Sequence, residues 1–265
     1  MSFVQAILLT GRIRGSSPLS AILISNPELG KTSIVTSASS DGKCKCAMAF
    51  ADVTGRGLMD LCKNRPEVSH FIINDLVAVM SHRDTVNRYT LAVINAITEE
   101  GISAVAIPGR IEVFEHGKRG IIACATPSLI SDGRSWWNKH GLASRMLPFF
   151  FDHNEALSIR IKDAIETENI VKKNGIVVPI RVPAKEIVVQ LPEDIGREVR
   201  KLSDFRAKKL GDSKGYRRLK QYRTLIRGRA LARGEKHSKA TVRSQDLEWL
   251  QRIDTYISYT ESRAL

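Results

Sequence analysis

The sequence lacks the features of membrane and secreted proteins. No apolar run approaches the roughly 20 residues that span a bilayer, because the longest, residues 71–80, is interrupted by Asn74 and Asp75. Residues 1–5 contain neither the basic region nor the small-residue cleavage site of a secretory signal. We therefore expect a cytoplasmic protein with no membrane partner.

The sequence also lacks the cysteine spacing of a zinc site. Its four cysteines, Cys44, Cys46, Cys62 and Cys124, form neither a paired CxxC nor a Cys/His pattern. Free thiols are the expectation for a cytoplasmic chain. The length of 265 residues and the hydrophobic fraction of 43% are sufficient for one large or two modest domains with a core.

Acidic residues are scarce in one part of an otherwise balanced chain. Between Gly196 and Arg243 there are 17 lysines and arginines but 4 acids, whereas the rest of the chain has 24 of each. The whole formal net charge of +13 therefore lies in this segment. A run of charge is often only a solvated face, but an excess without balancing acids favours a polyanionic partner or a bound nucleotide.

A candidate phosphate-binding loop, residues 25–32, follows the apolar run 21–24. It matches G-x-x-x-x-G-K-[ST] except at the first position, where Ser25 replaces glycine. Gly30 would let the backbone approach phosphates, Lys31 would add a point charge, and Thr32 would hold Mg²⁺. The alternative is an ordinary turn. The predicted nucleotide-binding residues of this segment are Pro27, Glu28, Leu29, Gly30, Lys31, Thr32 and Ser33.

A second candidate motif ends at Asp75. Residues 68–76 read as a buried parallel strand that brings a carboxylate to its carboxyl end, as a Walker B strand does. Asp75 would then hold Mg²⁺ together with Thr32. The alternative is that Asp75 only caps the next turn. An earlier strand, residues 45–53, contains Asp52 near its end.

The remaining pattern predicts an α/β core, residues 1–190, followed by a basic helical segment, residues 191–265. A hairpin around Pro108 and Gly109 precedes a strand that ends at Thr126. The predicted helices cover residues 3–15, 83–100, 155–168, 192–209, 215–233 and 244–257, and the remaining predicted strands cover residues 20–25, 104–107, 110–114, 120–125, 149–151, 176–182 and 186–191.

In this order the motifs resemble those of an AAA+ ATPase. The hairpin between Gly101 and Gly120 is similar to the pre-sensor insertion of the branch containing the minichromosome-maintenance helicases, the sigma-54 activators and the MoxR-type ATPases. Residues 227–232 and 241–247 most resemble the helicase version, and related ATPases of phages and mobile elements are also similar. The resemblance implies a P-loop AAA+ core with a five-stranded, mostly parallel sheet and a C-terminal α-helical lid.

The resemblance also implies roles for individual residues. Asp75 would be the Walker B acid, Thr126 would stand at sensor one, and Arg145 would reach into a neighbouring subunit's site. Arg218 would be the sensor-two arginine, with Arg217 and Arg223 as alternatives. Leu76 occupies the position of the usual water-activating glutamate, so Asp52 is the candidate substitute. On the hairpin, the predicted nucleic-acid contacts are Arg110, Lys118 and Arg119.

The function implied is that of an ATPase with ATP and Mg²⁺ as cofactors. It would form a homo-oligomeric ring or spiral, expected to be a hexamer, and act on DNA as a helicase, loader or remodeler. One alternative is a nucleotide-gated switch for DNA binding or assembly with little hydrolysis. A MoxR-like remodeler of proteins is another, and a small kinase is a less favoured use of the same loop.

Overall fold

The computed structural model describes residues 2–39, 46–107, 110–114, 117–132, 141–153, 155, 156, 158, 159, 163, 182–209, 215–234 and 239–264. The strands are β1 (Ser20–Ile24), β2 (Ala47–Phe50), β3 (His70–Ile73), β4 (Ala104–Ile107), β5 (Arg110–Val113), β6 (Gly120–Ala125), β7 (Met146–Phe150), β8 (Val188–Gln190) and β9 (Lys239–Thr241). The helices are α1 (Ser2–Leu9), α2 (Lys31–Ser39), α3 (Gly55–Asn64), α4 (Leu76–Met80), α5 (Asp84–Glu99), α6 (Pro127–Asp132), α7 (Leu142–Arg145), α8 (Glu193–Lys209), α9 (Tyr216–Ala232) and α10 (Ser244–Ala264), with a 3₁₀ turn at Thr10–Arg12.

Five strands form one parallel sheet in the order β2-β3-β6-β1-β7. The inner strands β1, β3 and β6 are buried along their whole length, as expected for strands covered on both faces. This confirms the predicted α/β class with a five-stranded parallel sheet. The predicted hairpin is also present, since β4 pairs antiparallel with β5.

The alternation of side chains along the strands divides the core into two layers. Ala21 and Leu23 of β1 face one layer, which includes α1, α2 and the C-terminal helices. Ile22 and Ile24 face the other layer, which includes α3, α4 and α5. Helix α2, which follows β1, therefore lies on one face of the sheet, and α6, which follows β6, lies on the other. Right-handed crossover connections require this arrangement. This arrangement opens a crevice between the carboxyl ends of β1 and β6.

Of the three C-terminal helices, α10 packs directly on the sheet, while α9 packs on α1 and α8 packs on α9 and α10. Helix α9 lies against α1, and α10 lies against β7, where Phe3 stacks on Phe149 with ring centres 4.5 Å apart. The main chain of Phe150 donates a hydrogen bond to the Thr260 hydroxyl at 2.8 Å. Strand β8 pairs with β9, so residues just before position 191 belong structurally with the C-terminal helices.

Several predicted elements need adjustment. Strand β7 begins at Met146 rather than at Phe149, and it accommodates Pro148 because it is an edge strand of the sheet. The strand predicted at 176–182 lies outside the described residues except for Val182, as does most of the helix predicted at 155–168. The prediction of free thiols holds for Cys62 and Cys124, whereas Cys46 is disulfide-bonded. Among the described helices, none is both long and apolar enough to cross a bilayer.

Candidate functional site

The candidate phosphate loop connects the carboxyl end of β1 to the first residue of α2. Its backbone takes left-handed conformations at Glu28 and Gly30, with φ values of 66° and 75°. No atom lies within 4 Å of the place where a Cβ would stand on Gly30, so this part of the loop is open. The Gly30 carbonyl accepts the hydrogen bond that starts α2, from the Ile34 amide at 2.9 Å. Helix α2 therefore directs its free N-terminal amides toward the loop.

Lys31 folds back over the loop. Its ammonium donates hydrogen bonds to the main-chain carbonyls of Ser25 and Asn26, at 2.7 and 2.9 Å. Burial lowers the pKa of Lys31, and the nearby Asp75 carboxylate acts in the opposite direction. The ammonium is thus held within the loop by groups that a phosphate can replace.

The sheet register brings three other predicted residues to the same edge. Asp52 and Asp75 each lie two residues beyond a paired position, since Phe50 of β2 is opposite Ile73 of β3. Thr126 follows the end of β6, next to β1. The carboxyl ends of parallel strands meet at one edge of a sheet, so the loop, both aspartates and Thr126 lie along the same edge, with Thr126 nearest to the loop and Asp52 farthest from it.

Asp75 and Thr126 also have structural roles there. The Asp75 carboxylate accepts a hydrogen bond from the Val77 amide at 2.9 Å and so caps α4. Thr126 precedes α6, and its hydroxyl lies 3.1 Å from that of Ser128. The capping alternative for Asp75 is therefore realised, but the side chain is exposed, and no hydrogen bond from the described residues occupies its second oxygen.

A pair that the sequence did not indicate is Asp52 with His82. The His82 Nε2 atom lies 2.9 Å from Asp52 Oδ1, although the two residues are 30 positions apart. The main chain of His82 is also fixed, because its carbonyl accepts a hydrogen bond from the Asn87 side chain at 2.8 Å. By contrast Leu76, in the position where a water-activating acid is usual, is 1% exposed. A carboxylate–histidine pair is the arrangement that orients imidazole as a general base.

Arg145 lies at the amino edge of the sheet, next to the start of β1. Its guanidinium donates to Glu99 at 2.6 Å and to the Gly141 carbonyl at 2.7 Å. Arg217 binds the other oxygen of Glu99 and donates to the Ser144 hydroxyl at 2.6 Å. Burial opposes the charge of Glu99, but the two arginines prevail and its pKa is lowered. Glu99 thus holds both arginines within one chain.

The remaining predicted residues are not near the loop. Arg218 pairs with Glu261 of α10 inside the C-terminal helices. Arg119 is 2% exposed and donates to the carbonyls of Lys118 and Cys62, because it lies beneath α3 rather than on the hairpin surface. Lys118 is exposed, and its ammonium lies 3.4 Å from the Ser17 hydroxyl. Arg110 begins β5 on the hairpin.

The function of the chain has to be inferred from the geometry of the site, because the comparisons with protein families and curated proteins gave no match. No family model matches the chain, and none of the curated proteins is similar to it.

Proposed function

We propose that the chain is an ATP-binding protein of the AAA+ type that uses ATP at interfaces between its own copies and acts on DNA. The observation that carries this proposal is the phosphate loop itself. It lies between a buried parallel strand and a helix N-terminus, at the crevice where nucleotides bind to parallel α/β sheets.

Within that crevice each residue has a chemical task. Lys31 exchanges its two carbonyl partners for the β- and γ-phosphate oxygens. The Thr32 hydroxyl and the second oxygen of Asp75 would hold Mg²⁺, which would supply positive charge against the phosphates. Among the described residues no group of three acidic, histidine or cysteine side chains is arranged for a metal. Mg²⁺ bound with ATP needs only one or two protein ligands, because phosphates and water supply the others.

The position of Arg145 supports the use of ATP between copies. Arg145 and the loop lie at opposite ends of β1, whose five residues extend about 17 Å at 3.3 Å per residue. An arginine side chain does not cover that distance, so Arg145 cannot reach the nucleotide of its own chain, and in the proposed function it acts on that of a neighbouring copy. For this it leaves Glu99, which binds it in the isolated chain.

Direct measurement of nucleotide binding tests the first step. Fluorescent ATP should bind the full chain in the presence of Mg²⁺, and Lys31→Ala should weaken binding at least tenfold through loss of a charge-assisted contact. Lys63→Ala is the matched control, since Lys63 is an exposed lysine on α3, away from the loop. Equal affinity of wild type and Lys31→Ala contradicts the proposal.

A mixing experiment tests the use of neighbouring copies. Lys31→Ala and Arg145→Ala should each abolish hydrolysis, but a mixture should regain part of it. The mixed oligomer contains interfaces with an intact loop from one copy and an intact arginine from the next. Arg88→Ala, an exposed arginine on α5, is the control and should retain turnover. A mixture as inactive as its components contradicts action between copies.

The second candidate function is a nucleotide-gated switch with little hydrolysis. The observation in its favour is the buried Leu76 in place of an acid. If Asp52 and His82 replace that acid, Asp52→Asn and His82→Gln should each lower turnover about 10²–10⁴-fold while ATP affinity is unchanged. Tight ATP binding with oligomer formation and no turnover in the wild type selects the switch.

A further inference from the structure

A cleft of about 780 Å³ lies at the amino edge of the sheet, at the opposite end of β1 from the phosphate loop. It is enclosed by residues 15–20, the end of α5, Lys118, Arg145 and one side of α9, and we call it the basic cleft. Helix α9 contributes Arg217, Lys220, Arg223 and Arg227 to the lining. Their spacing of three or four residues places them along one side of the helix.

Three of these cations differ from other arginines of the C-terminal helices. Arg206, Arg218 and Arg233 each form an ion pair with an acid of α10, namely Arg206–Asp254, Arg218–Glu261 and Arg233–Asp246. In the part of the chain that the structure describes, Lys220, Arg223 and Arg227 have no such partner. The basic cleft therefore brings together three cations that no acid of the described residues balances.

Repulsion among these cations works against the folded chain. Like charges three or four residues apart destabilise a helix. Burial and the neighbouring Arg223 charge together lower the pKa of Arg227, and Arg227 Nε has no hydrogen-bond partner within the described residues. An anion in the basic cleft would reverse each of these effects. A bound anion would thus stabilise this group of cations, whereas folding of the chain alone does not stabilise it.

The other lining groups suit a phosphodiester chain. The hydroxyls of Ser16, Ser17 and Thr224 line the basic cleft and can donate to phosphate oxygens. Tyr216 lines it as well and is 67% exposed, so its ring is accessible to a base. Among the lining residues Glu99 is the one acid, and Arg145 and Arg217 already bind both of its oxygens.

We propose that the basic cleft binds the phosphate backbone of a single-stranded nucleic acid, with Lys220, Arg223 and Arg227 on phosphates and Tyr216 stacked on a base. A positive groove with an aromatic platform is the usual design for single strands. Residues 217–227 span about 15 Å at 1.5 Å per residue, roughly four nucleotides of a stacked strand at 3.4 Å each. The proposal rests on the DNA-directed part of the proposed function and moves the contact from the hairpin to α9.

Anisotropy of a fluorescent oligothymidylate, titrated with the full chain in the absence of ATP at several salt concentrations, tests this site. The double variant Lys220→Gln/Arg227→Gln should bind at least tenfold more weakly. Its slope of log K against log salt should be about 1.4 smaller than that of the wild type, at 0.7 per lost phosphate contact. Tyr216→Ala should lose roughly 5- to 150-fold in affinity, whereas Tyr216→Phe should bind like the wild type because the ring remains.

The control is Lys208→Gln/Arg252→Gln, which removes the same charge from exposed positions on α8 and α10. Equal losses in both double variants would mean that only net charge matters, and would overturn the proposal. Wild-type affinity in Lys220→Gln/Arg227→Gln would overturn it as well. So would a double variant that binds the oligonucleotide normally but no longer assembles with ATP, because Lys220 and Arg227 would then serve the contact between copies and not a nucleic acid.

Failure of this proposal is distinguishable from failure of the proposed function. Lys31→Ala should keep full affinity for the oligonucleotide, since the assay contains no ATP. Loss of ATP binding by the wild type refutes the nucleotide site and leaves the oligonucleotide titration interpretable. Loss of oligonucleotide binding in Lys31→Ala would refute the proposal that the phosphate loop and the basic cleft are separate binding sites.

Discussion

Substitution of Gly228 by alanine should separate α9 from α1 and destabilise the chain. The two helices approach so closely at this position that a Cβ on Gly228 would lie 2.2 Å from the carbonyl oxygen of Ala6 and 3.0 Å from Thr10 Cγ2. The first obstacle is main chain, so no rotamer change relieves it. One of the helices must move by about 1 Å, and a gap of that size removes a quarter to a half of the dispersion energy at the contacts it opens.

The net effect is the difference of two opposing terms. Overpacking against main chain belongs at the upper end of the usual range, about 3 kcal/mol. Alanine recovers about 1 kcal/mol over glycine inside a helix. The free energy of unfolding should therefore fall by about 2 kcal/mol, which corresponds to a decrease in melting temperature of about 4–8 °C for a chain of this size.

Urea unfolding followed by circular dichroism measures this change. Gly57→Ala is the matched control, because a Cβ on Gly57 in α3 would meet its nearest neighbour, Thr54 Oγ1, at an ordinary 3.5 Å. That variant should be more stable than the wild type by about 0.5–1 kcal/mol. If Gly228→Ala is as stable as Gly57→Ala, α9 is not fixed on α1, and the C-terminal helices are free to move as a lid.

Three further predictions follow from buried or shared charges. Burial lowers the pKa of His70 to about 3, whereas a histidine in the unfolded chain has a pKa of about 6.5. As the pH falls below 6.5, the unfolded chain therefore gains a proton that the folded chain does not, and the free energy of unfolding decreases by about 1.4 kcal/mol per pH unit. His70→Gln should flatten the pH dependence of the urea midpoint between pH 6.5 and 4. Asp254→Ala should lower the free energy of unfolding by about 3–5 kcal/mol, because it leaves the Arg206 charge buried without its partner, and Arg206→Met/Asp254→Leu should recover most of that loss in the same assay. Glu99→Gln should raise oligonucleotide affinity about fivefold, since one unit charge at close range in water is worth about 1 kcal/mol, and the exposed neighbour Glu100→Gln should leave it unchanged.

Much of the core follows from short apolar runs that end in polar residues. The run before Ser25 and the one before Asp75 lie on β1 and β3, and parallel pairing through β6 brings their ends to one edge. That inference needs only the period of a strand and the rule that parallel strands end together. The candidate phosphate site could therefore be assembled from the sequence.

Contacts between distant segments could not be assembled in the same way. Asp52 meets His82 only because the turn after α4 returns to the end of β2. Arg119 follows a predicted hairpin, yet its guanidinium donates to the Cys62 carbonyl of α3. By residue type alone, Asp52 and Arg119 cannot be told apart from exposed residues nearby in the sequence. Local periodicity does not encode which distant carbonyl or carboxylate a charged side chain meets.

The basic segment shows why a charge count alone misleads about partners. Between positions 196 and 243 the count suggests one continuous cationic surface, but the acids that balance Arg206, Arg218 and Arg233 lie just beyond it on α10. Those pairs are largely removed from water and contribute to folding, and a polyanion cannot reach them without unfolding α10. Among the cations without such a pair, Lys220, Arg223 and Arg227 lie together along α9 at the basic cleft. Substitutions in the basic cleft should therefore affect binding, while substitutions in the paired arginines should affect stability.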